Sequence, residues 1–144
     1  MRSRHEKLVA RILEQRQLSY WLPLIEQRNR WSDRYKMVAE PLFPGYLFVN
    51  IGAREASEVY KCRGVVRLVG FNGQPHPIPV EELISVQIAL DSKLKHDPYP
   101  HLREGTMVEV AKGPLKGAQG RLVERNRRHR IVIAVNLINQ AIAV

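Results

Sequence analysis

Near the start of the chain apolar residues recur every three or four positions. Leu8, Val9, Ile12 and Leu13 fall on one stripe, the spacing of an amphipathic helix running to about Gln17. Ser3 and Glu6 form the S-x-x-E pair of a capping box, which marks a helix start. The period then shortens. YWLPLI (20–25) reads as a strand, with Pro23 at an edge or bulge, and EQRNRWSDRYK reads as a loop or hairpin tip with Trp31 either packed back on the sheet or in contact with nucleic acid. PLFPGYLFVNI (41–51) holds a strand from Gly45 to Ile51, interrupted on its approach by Pro41, Pro44 and Gly45. Alternation along that strand puts Tyr46 and Phe48 on one face and Leu47 and Val49 on the other. Two functions are therefore open to the aromatic residues Phe43, Tyr46 and Phe48. They form either a stiff exposed surface for a partner, or a core in which only Tyr46 reaches solvent.

A short helix is expected from Glu55 to about Lys61, ending near Gly64, with Cys62 as a small buried or half-buried thiol at its end. VVRLVGF (65–71) reads as a strand and NGQPHPIP as a turn-rich connection. From Val80 to about Leu90 an amphipathic helix follows, with Leu83, Ile84 and Ile88 on its buried side. Interleaved helices and strands predict an α+β fold, a small α/β sandwich over residues 1–90. DSKLKHDPYPHL (91–102) is polar, carries two prolines and lacks either period, so it reads as a linker. From 103 to 144 the pattern is all β. MVEVA and GRLVE alternate, RIVIAVNLI is a long apolar strand, and GPLKGAQG and NRRHR are turns, which predicts a small SH3-like barrel.

Charge sharpens this picture. The 144 residues carry 23 Lys and Arg against 14 Asp and Glu, a net charge of +9, which suits an anionic partner such as nucleic acid or a ribonucleoprotein. The cations cluster at Arg28, Arg30, Arg34 and Lys36 and again at Arg125, Arg127, Arg128 and Arg130. No apolar run reaches the roughly 20 residues of a membrane span, and MRSRHEKLVARILEQRQ has no signal-peptide pattern, so a cytoplasmic protein with no membrane partner is expected. Catalysis finds no footing. The phosphate-loop, dinucleotide and H-E-x-x-H patterns are absent, and His5, His76, His96, His101 and His129 are scattered. The single Cys62 excludes an internal disulfide and a cysteine zinc site. No cofactor or metal is expected, and the chain reads as a binder rather than an enzyme.

Two stretches together resemble a family. PLFPGYLFV followed by RGVVRLVGF is similar to the N-terminal domain of the NusG transcription elongation factors, and EGTMVEVAKGPLKGAQGRLVE is similar to the KOW motif of their C-terminal barrel. RHEKLVARIL, WLPLI and RWSDR resemble the family's first helix and the segments after it. The resemblance implies a transcription elongation or antitermination factor, monomeric, whose N-terminal domain binds the clamp helices of RNA polymerase. The KOW domain then engages a small-subunit ribosomal protein or the helicase Rho. Carried over by position, the polymerase-binding residues are Phe43, Pro44, Tyr46 and Phe48, and the KOW partner residues are Leu137, Ile138, Asn139 and Gln140.

The chain departs from the family pattern in three places. Family members begin with a W-Y-x-x-x-x strand before R-x-R-H-E-K. Here Met1 leads straight into RSRHEK, so a first domain without that strand is expected, from a misplaced start or a fragment. The end at AIAV implies a barrel with its last strand truncated. NLINQ, where general members have an aromatic-Gly-Arg tip, resembles the specialised RfaH-like antiterminators, which recruit the ribosome and do not use Rho. Such paralogues also read exposed non-template DNA, for which Arg2, Arg4, Arg11 and Arg16 are candidates, against the plainer reading of a solvated helix face. A rival reading, an RNA-binding ribosome-associated KOW protein, would rest on phosphate contacts from the basic turn that includes Arg127 and Arg128. Ile138 is expected to stand exposed at a turn for a partner, or else to plug the end of the barrel.

Overall fold

The computed structural model describes residues 5–31, 34–94, 97–99, 105–125 and 128–144, excepting the side chains of 27–31, 34–36, 53, 98, 125 and 128. Within it the chain divides into two compact units, residues 1–68 and 69–144.

In the first unit, helix α1 (Glu6–Gln15) forms where the apolar stripe predicts it, and it buries Val9, Ala10 and Leu13. Ser3 of the expected capping box lies outside the described residues. Strand β1 (Ser19–Trp21) stops before Pro23, which cannot donate to a ladder, and β2 (Leu24–Trp31) resumes after it. The polar stretch proves to be strand rather than loop: β2 pairs with β3 (Arg34–Pro41) from Leu24↔Pro41 to Trp31↔Arg34. The side chain of Trp31 lies outside the described residues. Strand β4 (Phe48–Asn50) pairs antiparallel with β1, placing Tyr20 opposite Val49 and Trp21 opposite Phe48. It is shorter than the expected Gly45–Ile51 because its first residues are taken by a turn. Helix α2 (Ala56–Tyr60) follows a single 3-10 turn. Val9, Leu13, Leu18, Val59 and Cys62 make the core, with Tyr20, Leu47, Val49, Val65 and Leu68 packed around it.

The second unit opens with a two-stranded hairpin, β5 (Gly70–Phe71) and β6 (Gln74–Pro75), around the Asn72–Gly73 turn. The strand expected over 65–71 is reduced to its last two residues. Val65 and Leu68 spend their side chains on the first unit's core, and no ladder forms along 65–69. Helix α3 (Val80–Asp91) buries Ser85, Val86 and Ala89, while Ile84 is half exposed and Leu83 and Ile88 are only partly covered. Its buried stripe is thus displaced from the expected one, because small residues let the helix lie close to β9 (Gln119–Arg125) and β10 (Arg128–Val135). Ser85 Oγ accepts a hydrogen bond from the Gln119 N–H at 2.9 Å.

A five-stranded antiparallel sheet runs in the order β7 (Asp97–Tyr99), β11 (Gln140–Ala143), β10, β9, β8 (Thr106–Glu109). One expectation changes here. The segment read as a linker supplies β7, held by the Arg130–Asp97 ion pair at 3.0 Å and an Arg130 bond to the Ala143 carbonyl at 2.8 Å. Gln140–Ala143 form β11, which pairs with both β10 and β7. Gly120, in mid-strand, marks a close approach within this sheet. A Cβ there would meet the Val132 carbonyl oxygen and Ile131 Cγ2 at 2.6 Å each, so only hydrogen fits between β9 and β10.

Candidate functional site

PLFPGYLF builds a turn before it builds a strand. The Tyr46 N–H donates to the Phe43 carbonyl at 3.0 Å, closing Phe43–Tyr46, with Pro44 second and Gly45 third at φ +86°. Proline locks φ negative at the second position, and a positive φ at the third suits glycine, so this is a type II turn. The Leu42 N–H donates to the Pro23 carbonyl at 2.9 Å and fixes the chain just before it. The Gly45 N–H donates to Glu6 Oε1 at 2.7 Å, a bond that spans 39 residues.

The aromatic residues then sort themselves. Phe48 stacks on Trp21 with centroids 5.5 Å apart, and Phe43 meets Phe48 edge-on at 6.2 Å. Phe43 is 2% exposed and Phe48 is buried, whereas Pro44 is exposed and Tyr46 is half-buried. Leu47 and Val49 pack against the aliphatic core, as alternation requires. Of the four residues carried over for a polymerase contact, Pro44 and Tyr46 reach the surface, and Phe43 and Phe48 stand behind them. Glu6 and Trp21 belong to the same constellation and were missed. Glu6 looked like a capping-box partner, and Trp21 was reachable only through its register with Phe48.

The second predicted constellation lies on the β10–β11 connection. Asn136–Ile138 form one 3-10 turn, Asn139 closes it at φ +53°, and Val135 pairs with Gln140. Ile138 was expected either to stand exposed for a partner or to be buried as a plug, and it is buried. It is 6% exposed, because the turn folds it back over the sheet, while Leu137 is half-buried and Asn139 exposed. The Asn136 side-chain amide donates to Glu82 Oε1 on α3, and Glu82 Oε2 is buried without a partner. Glu82 therefore does more than complement the helix dipole.

The basic candidates do not converge. Arg16 is committed to an ion pair with Glu58 at 3.2 Å, which Lys61 shares at 3.1 Å. Arg11 lies on an open groove of about 320 Å³ lined in part by Lys7, Glu14, Tyr20, Leu22 and Leu24. Arg2, Arg4 and Arg127 lie outside the described residues, as does the side chain of Arg128. Among the described residues no cluster of His, Cys, Asp and Glu could hold a metal, and no helix is long and apolar enough to cross a membrane.

Comparison with known proteins bears on the first unit above all. The family model for "Transcription termination factor nusG" matches residues 1–87. The transcription termination/antitermination protein NusG of Thermus thermophilus is 28% identical over 122 residues, an alignment covering 77% of this chain and 66% of that protein. The chain thus spans just under two thirds of the length of the curated relative it matches.

Proposed function

The chain belongs to the NusG family, a family of transcription factors and not enzymes, and from that premise we propose that it acts on transcription, in termination or antitermination, by binding RNA polymerase. The surface we assign to polymerase is the turn at Pro44 and Tyr46, backed by Phe43, Phe48 and Trp21. The observation that carries this reading is that the family match over 1–87 contains this turn, and that the turn carries one half-buried tyrosine next in sequence to the packed rings of Phe43 and Phe48. A stiff aromatic anchor loses little conformational entropy on docking, and such residues tend to dominate interface energies. Pro44 adds to that stiffness, because its φ is fixed before the partner arrives.

We assign the five-stranded sheet to a KOW-type, SH3-like barrel that engages a second partner, a ribosomal small-subunit protein, through Leu137, Ile138, Asn139 and Gln140. Gly120 supports the barrel assignment, since a strand-interior glycine with a backbone pressed against it is what a sharply coiled sheet needs. The proposed division is a polymerase-binding region within 1–90 and a partner-binding module over 103–144, to whose sheet the 91–102 segment contributes β7. Within that assignment Leu137 and Asn139 are the residues with surface to offer, and Ile138 supports them from below. We place the chain in the specialised, RfaH-like branch on its NLINQ tip, with non-template DNA as a further contact.

Two assays test this. Core RNA polymerase should retain the full chain on a pull-down that survives rising salt, because an apolar contact is screened little. Loss of retention at modest salt would point instead to phosphate contacts and to the RNA-binding reading. In a purified transcription assay the chain should fail to stimulate Rho-dependent termination. Strong stimulation would make it a general NusG.

A further inference from the structure

Glu6 is the first residue of α1, yet the residue is only 6% exposed and its carboxylate is turned toward the aromatic turn, where it bonds the Gly45 N–H. Burying a carboxylate is costly unless it is bonded, and its bond here is to one backbone group, the Gly45 N–H at 2.7 Å. The positive end of the α1 dipole adds support for a negative charge at that position. The atom gripped matters. Gly45 N–H belongs to the Pro44–Gly45 peptide, the central peptide of the turn. Types I and II differ by a flip of that peptide, so its N–H points to opposite sides in the two forms. An acceptor fixed on α1 satisfies it in one form only.

We propose that Glu6 is a positioning residue for the Phe43–Tyr46 turn: its carboxylate holds the Pro44–Gly45 peptide in the type II orientation and so sets the direction in which Tyr46 leaves the turn. The proposal rests on the reading of Tyr46 as a polymerase contact. Gly45 is the other half of the device, because its φ of +86° is open to glycine and strained for other residues, although no atom lies within 4 Å of where a Cβ would sit.

The test is a double-mutant cycle on the full chain, read by affinity for purified core RNA polymerase and by the nuclear Overhauser effect between Pro44 Hα and the Gly45 amide, which is strong in a type II turn. Glu6→Ala should weaken binding about tenfold and reduce that effect, the size expected for one charge-assisted bond. Glu6→Gln keeps an acceptor oxygen and should rescue both readouts to within about threefold. Gly45→Ala should also lose about tenfold. The double variant should be little worse than either single one, because both act on one peptide. Losses that multiply to about a hundredfold, or an unchanged Pro44–Gly45 signal in Glu6→Ala, overturn the proposal. Should Glu6→Ala not fold, Glu6→Gln and Gly45→Ala still decide it, since a role confined to stability predicts no link between turn geometry and affinity. A wild-type chain that ignores polymerase while its turn still responds to Glu6 overturns the polymerase reading and leaves the latch standing.

Discussion

The turns at 43–46 and 136–139 each contain a left-handed residue, Gly45 at φ +86° and Asn139 at φ +53°, and each is gripped by a glutamate from the first turn of a helix. Glu6 holds the N–H of the central peptide of its turn at 2.7 Å, whereas Glu82 holds Asn136, the first residue of the other turn, by its side-chain amide and by a longer bond of 3.5 Å to its backbone N–H. That difference decides what each turn can present. Holding the central peptide freezes the path of the chain, so Tyr46 can remain half-exposed without collapsing inward. Holding only the first residue of the second turn leaves the path beyond Asn136 to packing, and packing draws Ile138 inside. An apolar side chain in a turn is thus placed by which atoms are tethered, not by its own polarity.

Substitutions can break this comparison, and the largest effect is expected at Ile138. Ile138→Asp puts a charge where only 6% of the residue is exposed and should cost about 4 kcal/mol of stability, measured by urea denaturation. A variant as stable as wild type would make Ile138 a surface residue after all, and the two turns equivalent. Phe43→Ala comes next, at about 3 kcal/mol for removing a buried ring. Tyr46→Ala should cost under about 1 kcal/mol of stability yet weaken polymerase binding at least about tenfold. If the two variants instead lose stability equally, the turn has no presenting side and the aromatic residues form one core.

Smaller effects sharpen the picture. Ser85→Ala leaves the Gln119 N–H without its acceptor, so thermal denaturation should show a loss of about 1–2 kcal/mol. No change there would mean that α3 contributes its apolar face alone to the second unit. Arg16→Ala should alter stability by less than about 0.5 kcal/mol, since its ion pair with Glu58 is exposed. Should that variant lose polymerase or DNA binding while its melting is unchanged, Arg16 would regain its standing as a contact.

Much of the first unit was legible from periodicity. The α1 stripe, the α2 region, and the split between Leu47 and Val49 on one side and Phe48 on the other follow from spacing alone. What escaped was set by distant partners. EQRNRWSDRYK has the composition of a loop, and only pairing between its two arms makes it strand. VVRLVGF has the composition of a strand, but its apolar residues are drawn to a core where no ladder forms along 65–69. The role of Glu6 depends on a contact 39 residues away that no local pattern encodes. In the second unit the β alternation held, while β7 looked like a linker because its partner, β11, lies more than 40 residues downstream.

Gly120 has a consequence for how this sequence can vary. With a carbonyl oxygen and a methyl group each 2.6 Å from the place of a Cβ, even alanine must push two strands apart. Random substitution across the chain, followed by selection for folded protein, should therefore leave codon 120 monomorphic. Codons 73 and 113 border open space, so a side chain there meets the strain of a positive φ but no clash, and they should vary more than codon 120.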